Sequence, residues 1–169
     1  MMIGASVNHK GKALFPVTES SISEIDATEI IETRFGKIGL QKQNSFCFTN
    51  GLLGMPDKRD FFLTDFPNEK LRKFKLMQSL DDIALSFITL PLSLSNEIIS
   101  TEDLSIACNE LGLALDEAVI LLMVSVHRTA SKVTISVNAR APLFINATTR
   151  DAAQYVFMTE KYSVQHFIS

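Results

Sequence analysis

Apolar and polar residues alternate along much of this chain after residue 28. In the segment 132–138, three β-branched apolar residues are separated by Thr, Ser and Asn. A period of two places successive side chains on opposite faces of a strand, so this segment is predicted to be a half-buried antiparallel strand. The segment 74–80 alternates in the same way, with Leu80 on its apolar face.

Further short strands are predicted where β-branched and aromatic residues lie between turn residues. They are expected at 29–35, 45–48, 61–64, 143–146 and 153–158. The stretches 84–90 and 119–126 are apolar on both faces, which predicts strands in the middle of the structure. Many short strands at close spacing favour a barrel or a sandwich, and the predicted fold is a mainly β, small antiparallel β-barrel-like domain with one short amphipathic helix.

That helix is predicted to begin just after Ser100 or Thr101, either of which can cap it. Acidic residues occupy its first turn, where the positive end of the helix dipole favours them. An apolar stripe at helical spacing follows, and Gly112 stands where a left-handed termination is expected. A helix of about a dozen residues on a sheet face or over a barrel mouth agrees with this pattern.

Composition places the chain among ordinary globular proteins. It has 169 residues, of which 46% are hydrophobic and 21% charged, and a net charge of −3. This balance predicts no general attraction to nucleic acid or to an anionic membrane. We expect residues 1–28, which are polar and lack periodicity, to be a flexible N-terminal extension, and residues 29–169 to form one domain.

Cellular location is predicted from what the sequence lacks. The longest apolar run, 118–124, is far shorter than the roughly 20 residues of a membrane span. The beginning of the chain does not have the pattern of a signal peptide. Cys47 and Cys108 do not make a disulfide scaffold, so the protein is expected to be cytoplasmic, with reduced thiols.

No set of residues predicts catalysis. The histidines, His9, His127 and His166, lie far apart in the sequence and from both cysteines, so neither a metal site nor a cofactor is expected. Ser125 and His127 share a face of one strand, but two polar residues on a solvent face are the simpler interpretation. The Gly51–Gly54 turn has no Lys-Ser/Thr after it and does not predict a phosphate loop. We therefore expect a binding protein, not an enzyme.

Charge distribution gives the first candidate binding surface. The segment 96–117 contains six acidic residues and no Lys or Arg: Glu97, Glu102, Asp103, Glu110, Asp116 and Glu117. A solvated helix face explains this run most simply. The alternative is a docking surface that attracts a basic partner. Asp81 and Asp82 are interpreted as turn residues that also touch a partner.

Five segments follow one another along the chain in a recognisable order: TRFGKI at 33–38, NGLLGMP at 50–56, LMQSLDD at 76–82, ALSF at 84–87 and NARAPLFIN at 138–146, followed by Tyr162 and His166. In their order and spacing they resemble the bacterial flagellar assembly factor FliW family. Met55 departs from the usual Phe, Arg140 from an apolar residue and Ala152 from a common Gly. The resemblance covers about residues 29–169.

This resemblance implies a β-barrel-like fold, no enzymatic activity and no direct contact with nucleic acid. It implies two protein partners bound in turn, flagellin and the translational regulator CsrA, and a chain that is monomeric when free. Release from flagellin would allow the protein to antagonise CsrA, so that flagellin synthesis follows export. Exposure and charge then select the predicted partner-binding residues, which are Asp81, Asp82, Glu110, Asp116, Glu117, Asn138 and Arg140.

Two alternatives stay open at this point. The protein could be a flagellin-specific cytosolic chaperone without a translational role. The strands that are apolar on both faces would also suit a small-ligand-binding β-barrel.

Overall fold

A computed structural model describes residues 29–93 and 97–168 of the chain. The predicted N-terminal extension, residues 1–28, lies outside the described residues. The described part contains eleven strands and one α-helix. These are β1 (Glu29–Thr33), β2 (Gly36–Leu40), β3 (Ser45–Phe48), β4 (Asp60–Asp65), β5 (Lys75–Ser79), β6 (Ser86–Pro91), α1 (Thr101–Glu110), β7 (Ala118–Arg128), β8 (Val133–Val137), β9 (Leu143–Asn146), β10 (Asp151–Gln154) and β11 (His166–Phe167).

Seven of these strands close into a barrel, as predicted. β3 to β7 pair in sequence as an antiparallel meander. β7 also pairs with β9, β9 pairs with β10, and β10 returns to β3. This last pairing is parallel, through Asp151 beside Cys47 and Ala152 beside Phe48. β8 and β11 extend the sheet beyond β7, whereas β1 and β2 form a separate hairpin.

Strands that are apolar on both faces separate two hydrophobic cores. One face lines the interior of the barrel, where Phe46, Phe48, Phe61, Met77, Leu121 and Leu143 pack together. The other face supports an outer core beneath the helix, the β1–β2 hairpin and the C-terminal residues, with Phe62, Leu76, Ile120, Leu122, Phe144 and Phe157. Period-two alternation explains the division, since neighbouring residues on one strand enter different cores.

The helix has the limits that its capping residues predict. Ser100 Oγ accepts a hydrogen bond from the Asp103 N–H at 3.3 Å. At the other end Gly112 has φ of +67°, and the Leu113 N–H donates to the Cys108 carbonyl at 2.9 Å. The positive φ of Gly112 and the Leu113–Cys108 bond make a Schellman termination, which stops the helix after ten residues. Leu104, Ala107 and Cys108 form the buried stripe.

Some strand limits differ from the predictions. The strand expected at 153–158 is instead Asp151–Gln154. β10 ends at Gln154, but the chain continues beside residues 140–142, since the N–H groups of Tyr155 and Phe157 donate to the carbonyls of Pro142 and Arg140. The residues beyond then cross the outside of the barrel and form part of the outer core.

Two side chains lie on the opposite side from the prediction. Leu80, expected on a buried face, follows the end of β5 and is 44% exposed. Ser136, expected on the polar face of β8, is fully buried, and its Oγ lies 2.7 Å from His127 Nε2. Alternation alone predicts neither, since one depends on where a strand ends and the other on a neighbouring strand.

Candidate partner-binding surfaces

One end of the barrel carries three loops, residues 49–59, 80–85 and 138–142, which we call the rim. The loops meet because β3 and β10 run parallel toward this end and β5 ends where β4 begins. Gln154 joins two of them: its Oε1 accepts the Leu53 N–H at 3.0 Å, and its Nε2 donates to the Ala141 carbonyl at 3.2 Å.

The first rim loop depends on Gly51. Its φ is +69°, and a Cβ at this position would lie 2.5 Å from the Pro56 carbonyl oxygen. Only glycine allows this approach of the two backbone segments. Leu52 and Met55 then close the turn with reciprocal backbone hydrogen bonds.

Asp81, a predicted partner-binding residue, joins the first rim loop to the second. Its Oδ2 accepts the N–H groups of Asp60, at 3.0 Å, and Arg59, at 2.8 Å. These two bonds hold the pKa of the Asp81 carboxyl below its ordinary value, because they favour the ionised form. The structure therefore gives this carboxylate an internal role in the rim.

The rest of the second loop is also held internally. Asp82, the other predicted residue here, accepts the Ala84 N–H through Oδ1 and has its Oδ2 3.6 Å from Lys58 Nζ. Gln78, which is fully buried, donates from Nε2 to the carbonyls of Ile83 and Leu85 at 3.0 and 2.9 Å. A loop with this many internal bonds presents a defined surface to a partner.

Apolar side chains project from these well-held loops. Leu53, on the first loop, and Ile83, on the second, are each 59% exposed, and Leu80 on the second loop is also exposed. Apolar residues within turns that also contain Gly, Asp or Asn are a signal that the sequence contains and that charge-based reasoning missed. Exposed apolar groups on rigid loops are typical of protein-binding surfaces.

The third rim loop contains two more predicted residues. Asn138 Oδ1 accepts the N–H groups of Arg140 and Ala141, at 3.1 and 3.0 Å, so this side chain shapes the loop. Arg140 is half-buried, and its backbone N–H donates to the Ser163 carbonyl. Both residues lie on the rim, on a different loop from Asp81 and Asp82.

A second candidate surface lies on the side of the barrel, around α1. Its exposed carboxylates belong to Glu97, Glu102, Glu110, Asp116 and Glu117, which we call the acidic surface. Asp103, the sixth acid of this run, is instead half-buried in a network. Its carboxylate lies 2.6 Å from Lys161 Nζ and also receives hydrogen bonds from Tyr162 and Ser100. Lys161 first, and then the two hydroxyls, hold the pKa of Asp103 far below its ordinary value.

The predicted residues of the acidic surface differ in their contacts. Glu110 accepts a hydrogen bond from the Tyr155 hydroxyl at 2.7 Å, which raises the pKa of Tyr155. Asp116 and Glu117 are exposed in a 3-10 turn, Leu115–Glu117, immediately before β7. The structure thus divides the seven predicted residues between two surfaces, with four on the rim and three around the helix.

Neither surface contains an arrangement that predicts a metal site. Among residues 29–93 and 97–168, no three His, Cys, Asp or Glu side chains come close enough to hold a metal ion. His127 is paired with the buried Ser136 rather than with Ser125. No helix in this part of the chain is long and apolar enough to cross a membrane.

Comparison with known proteins identifies the family. Residues 29–168 match the family model described as FliW protein. The chain belongs to the FliW family of flagellar assembly factors. The flagellar assembly factor FliW of Leptospira interrogans is 29% identical over 145 residues, which cover 83% of this chain and 92% of that protein. The FliW of Borreliella afzelii is 29% identical over 134 residues, or 79% of this chain and 96% of that protein.

The fold agrees with that of a solved FliW. A crystal structure of the flagellar assembly factor FliW superposes with a TM-score of 0.61 at 20% identity, covering 82% of this chain and 96% of the other. Three of the segments that resemble the FliW family, residues 50–56, 76–82 and 138–146, meet at the rim. The rim therefore brings together parts of three of the five segments that resemble the FliW family.

Proposed function

We propose that this FliW-family protein binds flagellin and, when released from it, binds and antagonises the translational regulator CsrA. Flagellin synthesis would then follow flagellin export. The observation that carries the proposal is the family match over residues 29–168. Both partners are implied by the family resemblance, and the exchange is placed in the cytoplasm, where translation occurs, with the free protein as a monomer.

The proposed mechanism is a pair of linked binding equilibria. Flagellin that accumulates in the cell occupies the protein and lowers the free pool that is available to CsrA. Export of flagellin restores this pool. If one partner lowers the affinity for the other, the reverse must hold by the same factor.

The two surfaces suit partners of different chemistry. CsrA binds RNA and therefore carries basic groups, and the acidic surface is its proposed docking site. The family resemblance implies an allosteric action on CsrA and not competition for its RNA face. The rim offers Leu53, Leu80 and Ile83 for apolar contacts and is the proposed site for flagellin. Asn138 and Arg140 belong to the same proposed rim site.

A displacement titration tests this proposal. Fluorescently labelled CsrA is first bound to the purified full chain, and unlabelled flagellin is then added. We expect release of CsrA and, in a parallel measurement, weaker repression by CsrA of flagellin mRNA when the full chain is present. Binding of neither partner would refute the proposal.

The alternatives predict other outcomes. A chaperone without a translational role binds flagellin but leaves the affinity of CsrA for RNA unchanged. A small-ligand carrier needs an open interior, whereas here aromatic and aliphatic side chains fill the barrel. That packing favours a protein-binding function over ligand transport.

A further inference from the structure

β6 and β7 separate toward the rim end of the barrel. Their ladder joins Thr89–Pro91 to Leu121–Met123, and toward the rim it stops at Thr89 and Met123. Beyond it, β6 pairs with β5, and β7 continues as the partner of β8. A shallow, open surface cleft of about 380 Å³ lies between the two separated strands.

The backbone of β7 presents an open edge to this cleft. The Ile120 carbonyl accepts from Leu92, on the β6 side, whereas the Met123 carbonyl accepts from Asn138, on the β8 side. Because these directions alternate along an antiparallel strand, the N–H and C=O of Val126 and Arg128 point toward the cleft. No strand in the described part of the chain pairs with them on that side. An unpaired edge is a template for an added strand.

A buried polar group in the cleft wall also lacks a partner. Ser86 lines the cleft and is 5% exposed, and its Oγ makes no hydrogen bond within the described residues. Buried hydroxyls without a partner are rare, since leaving one unsatisfied costs about 1–3 kcal/mol. The Ser86 Oγ is itself buried, so it marks the wall beneath the cleft as incompletely hydrogen-bonded and is not a direct ligand contact.

The charge of the cleft defines the ligand further. Arg34 and Arg128 are exposed at the cleft, and neither forms an ion pair with a described residue. The Arg34 guanidinium is held in place, since it donates to the Ser86 carbonyl at 2.8 Å and lies 4.8 Å from the centre of the Phe35 ring. Two exposed guanidinium groups beside apolar walls, one of them held in place, favour an acidic ligand in a chain of net charge −3.

We propose that this cleft binds an extended, acidic segment of a partner protein, which adds to β7 as a further strand. Its backbone pairs with Val126 and Arg128, its apolar side chains lie against Phe35 and Ile88, and its carboxylates meet Arg34 and Arg128. The proposal goes beyond the proposed function and does not depend on which protein supplies the segment. A second copy of the chain fits less well, because a two-fold pairing along this edge would gather four guanidinium groups in one interface.

Peptide probes test the charge preference. The probe is a labelled peptide of about eight residues that alternates Val with Thr and ends in Asp on both sides; matched versions end in Asn or in Lys. Fluorescence anisotropy with the full chain should show the Asp peptide binding about tenfold more tightly than the Lys peptide. The double variant Arg34→Glu, Arg128→Glu should reverse this order, while Arg72→Glu, on an exposed turn elsewhere, should leave it unchanged. Equal binding of the peptides to the unaltered chain would overturn the proposal.

Backbone pairing is tested separately. Two versions of the Asp peptide are N-methylated at alternate positions, one at the odd residues and one at the even residues. One version should lose binding and the other should keep it, because every second N–H of an added strand faces β7. Val126→Pro should also abolish binding, since it removes a donor that points to the cleft and not to β8. Equal loss of binding in the two methylated peptides would refute strand addition. So would peptide binding that occurs only when the protein dimerises, as measured by sedimentation velocity.

Discussion

The rim and the acidic surface use carboxylates in different ways. On the rim, Asp81 and Asp82 are bound to backbone N–H groups, so the polar atoms hold the loops and apolar side chains face solvent. Around the helix the arrangement is reversed: apolar residues are buried in the outer core, and most carboxylates remain exposed. The comparison teaches that an acidic residue in a turn and one on a helix are not equivalent candidates for binding.

The largest expected difference between the two regions concerns their glycines. Gly51→Ala should destabilise the protein by about 3 kcal/mol. The new Cβ would collide with the Pro56 backbone, and the positive φ at this position is strained for alanine. Gly112→Ala, at the end of the helix, has open space and should cost only about 1 kcal/mol. Urea unfolding of both variants measures this; equal losses would mean that the rim is no more constrained than the helix end.

The next prediction separates the two binding surfaces. Leu53→Asp with Ile83→Asp should weaken flagellin binding by about tenfold or more, since central apolar contacts dominate interface energies. CsrA binding should change little. Ile106→Asp, at an exposed apolar position of α1, is the matched control for flagellin. Calorimetric titration gives both affinities, and an unchanged flagellin affinity in the rim variant would remove the rim as its site.

Charge reversal at the acidic surface should have a smaller effect. Replacing Glu110, Asp116 and Glu117 with Lys should slow CsrA association several-fold, because exposed charges that attract a partner mainly raise the association rate. Added salt should reduce the difference between variant and unaltered protein. Stopped-flow measurements at low and high salt give the association rate of CsrA with each protein. If the association rate responds neither to the substitutions nor to salt, this surface is an ordinary solvated helix face and not the CsrA-binding site.

The smallest expected effects concern how the free energy of unfolding depends on pH. Asp81 and Asp103 have pKa values below the ordinary carboxyl value, so both stabilise the fold when ionised. Their contribution is present above the ordinary carboxyl pKa and is lost as the pH falls toward the lowered values. Asp81→Asn and Asp103→Asn should each lower the free energy of unfolding at pH 7 by less than about 1 kcal/mol, given solvent screening.

Thermal unfolding at a series of pH values checks these two variants. Each difference from the unaltered protein should shrink as the pH falls below 4, because protonation removes the same interaction. Glu102→Gln, at an exposed position in the first turn of α1, is the control that should show a smaller change. A difference that is constant with pH would show that the ionised carboxylate is not the source.

Local features were predicted best from the sequence. The helix limits follow from Ser100 and Gly112, and strands such as β3 and β9 follow from short apolar runs between turns. The barrel was also predicted, although its parallel β3–β10 pairing was not. The roles of the site residues depend on contacts distant in sequence, such as Asp81 with Arg59 and Glu110 with Tyr155, which no local pattern contains. Leu53 and Ile83 were visible in the sequence but needed the loop geometry to be recognised as exposed.

The parallel pairing of β10 with β3 has a consequence for how the chain folds during synthesis. The closing strand lies about a hundred residues after the strand that it meets. While the chain emerges from the ribosome, the aromatic residues of β3 and β4 have no complete barrel around them until β10 has been translated. Nascent chains that stop before residue 151 should therefore be the form of this protein that chaperones retain and proteases remove.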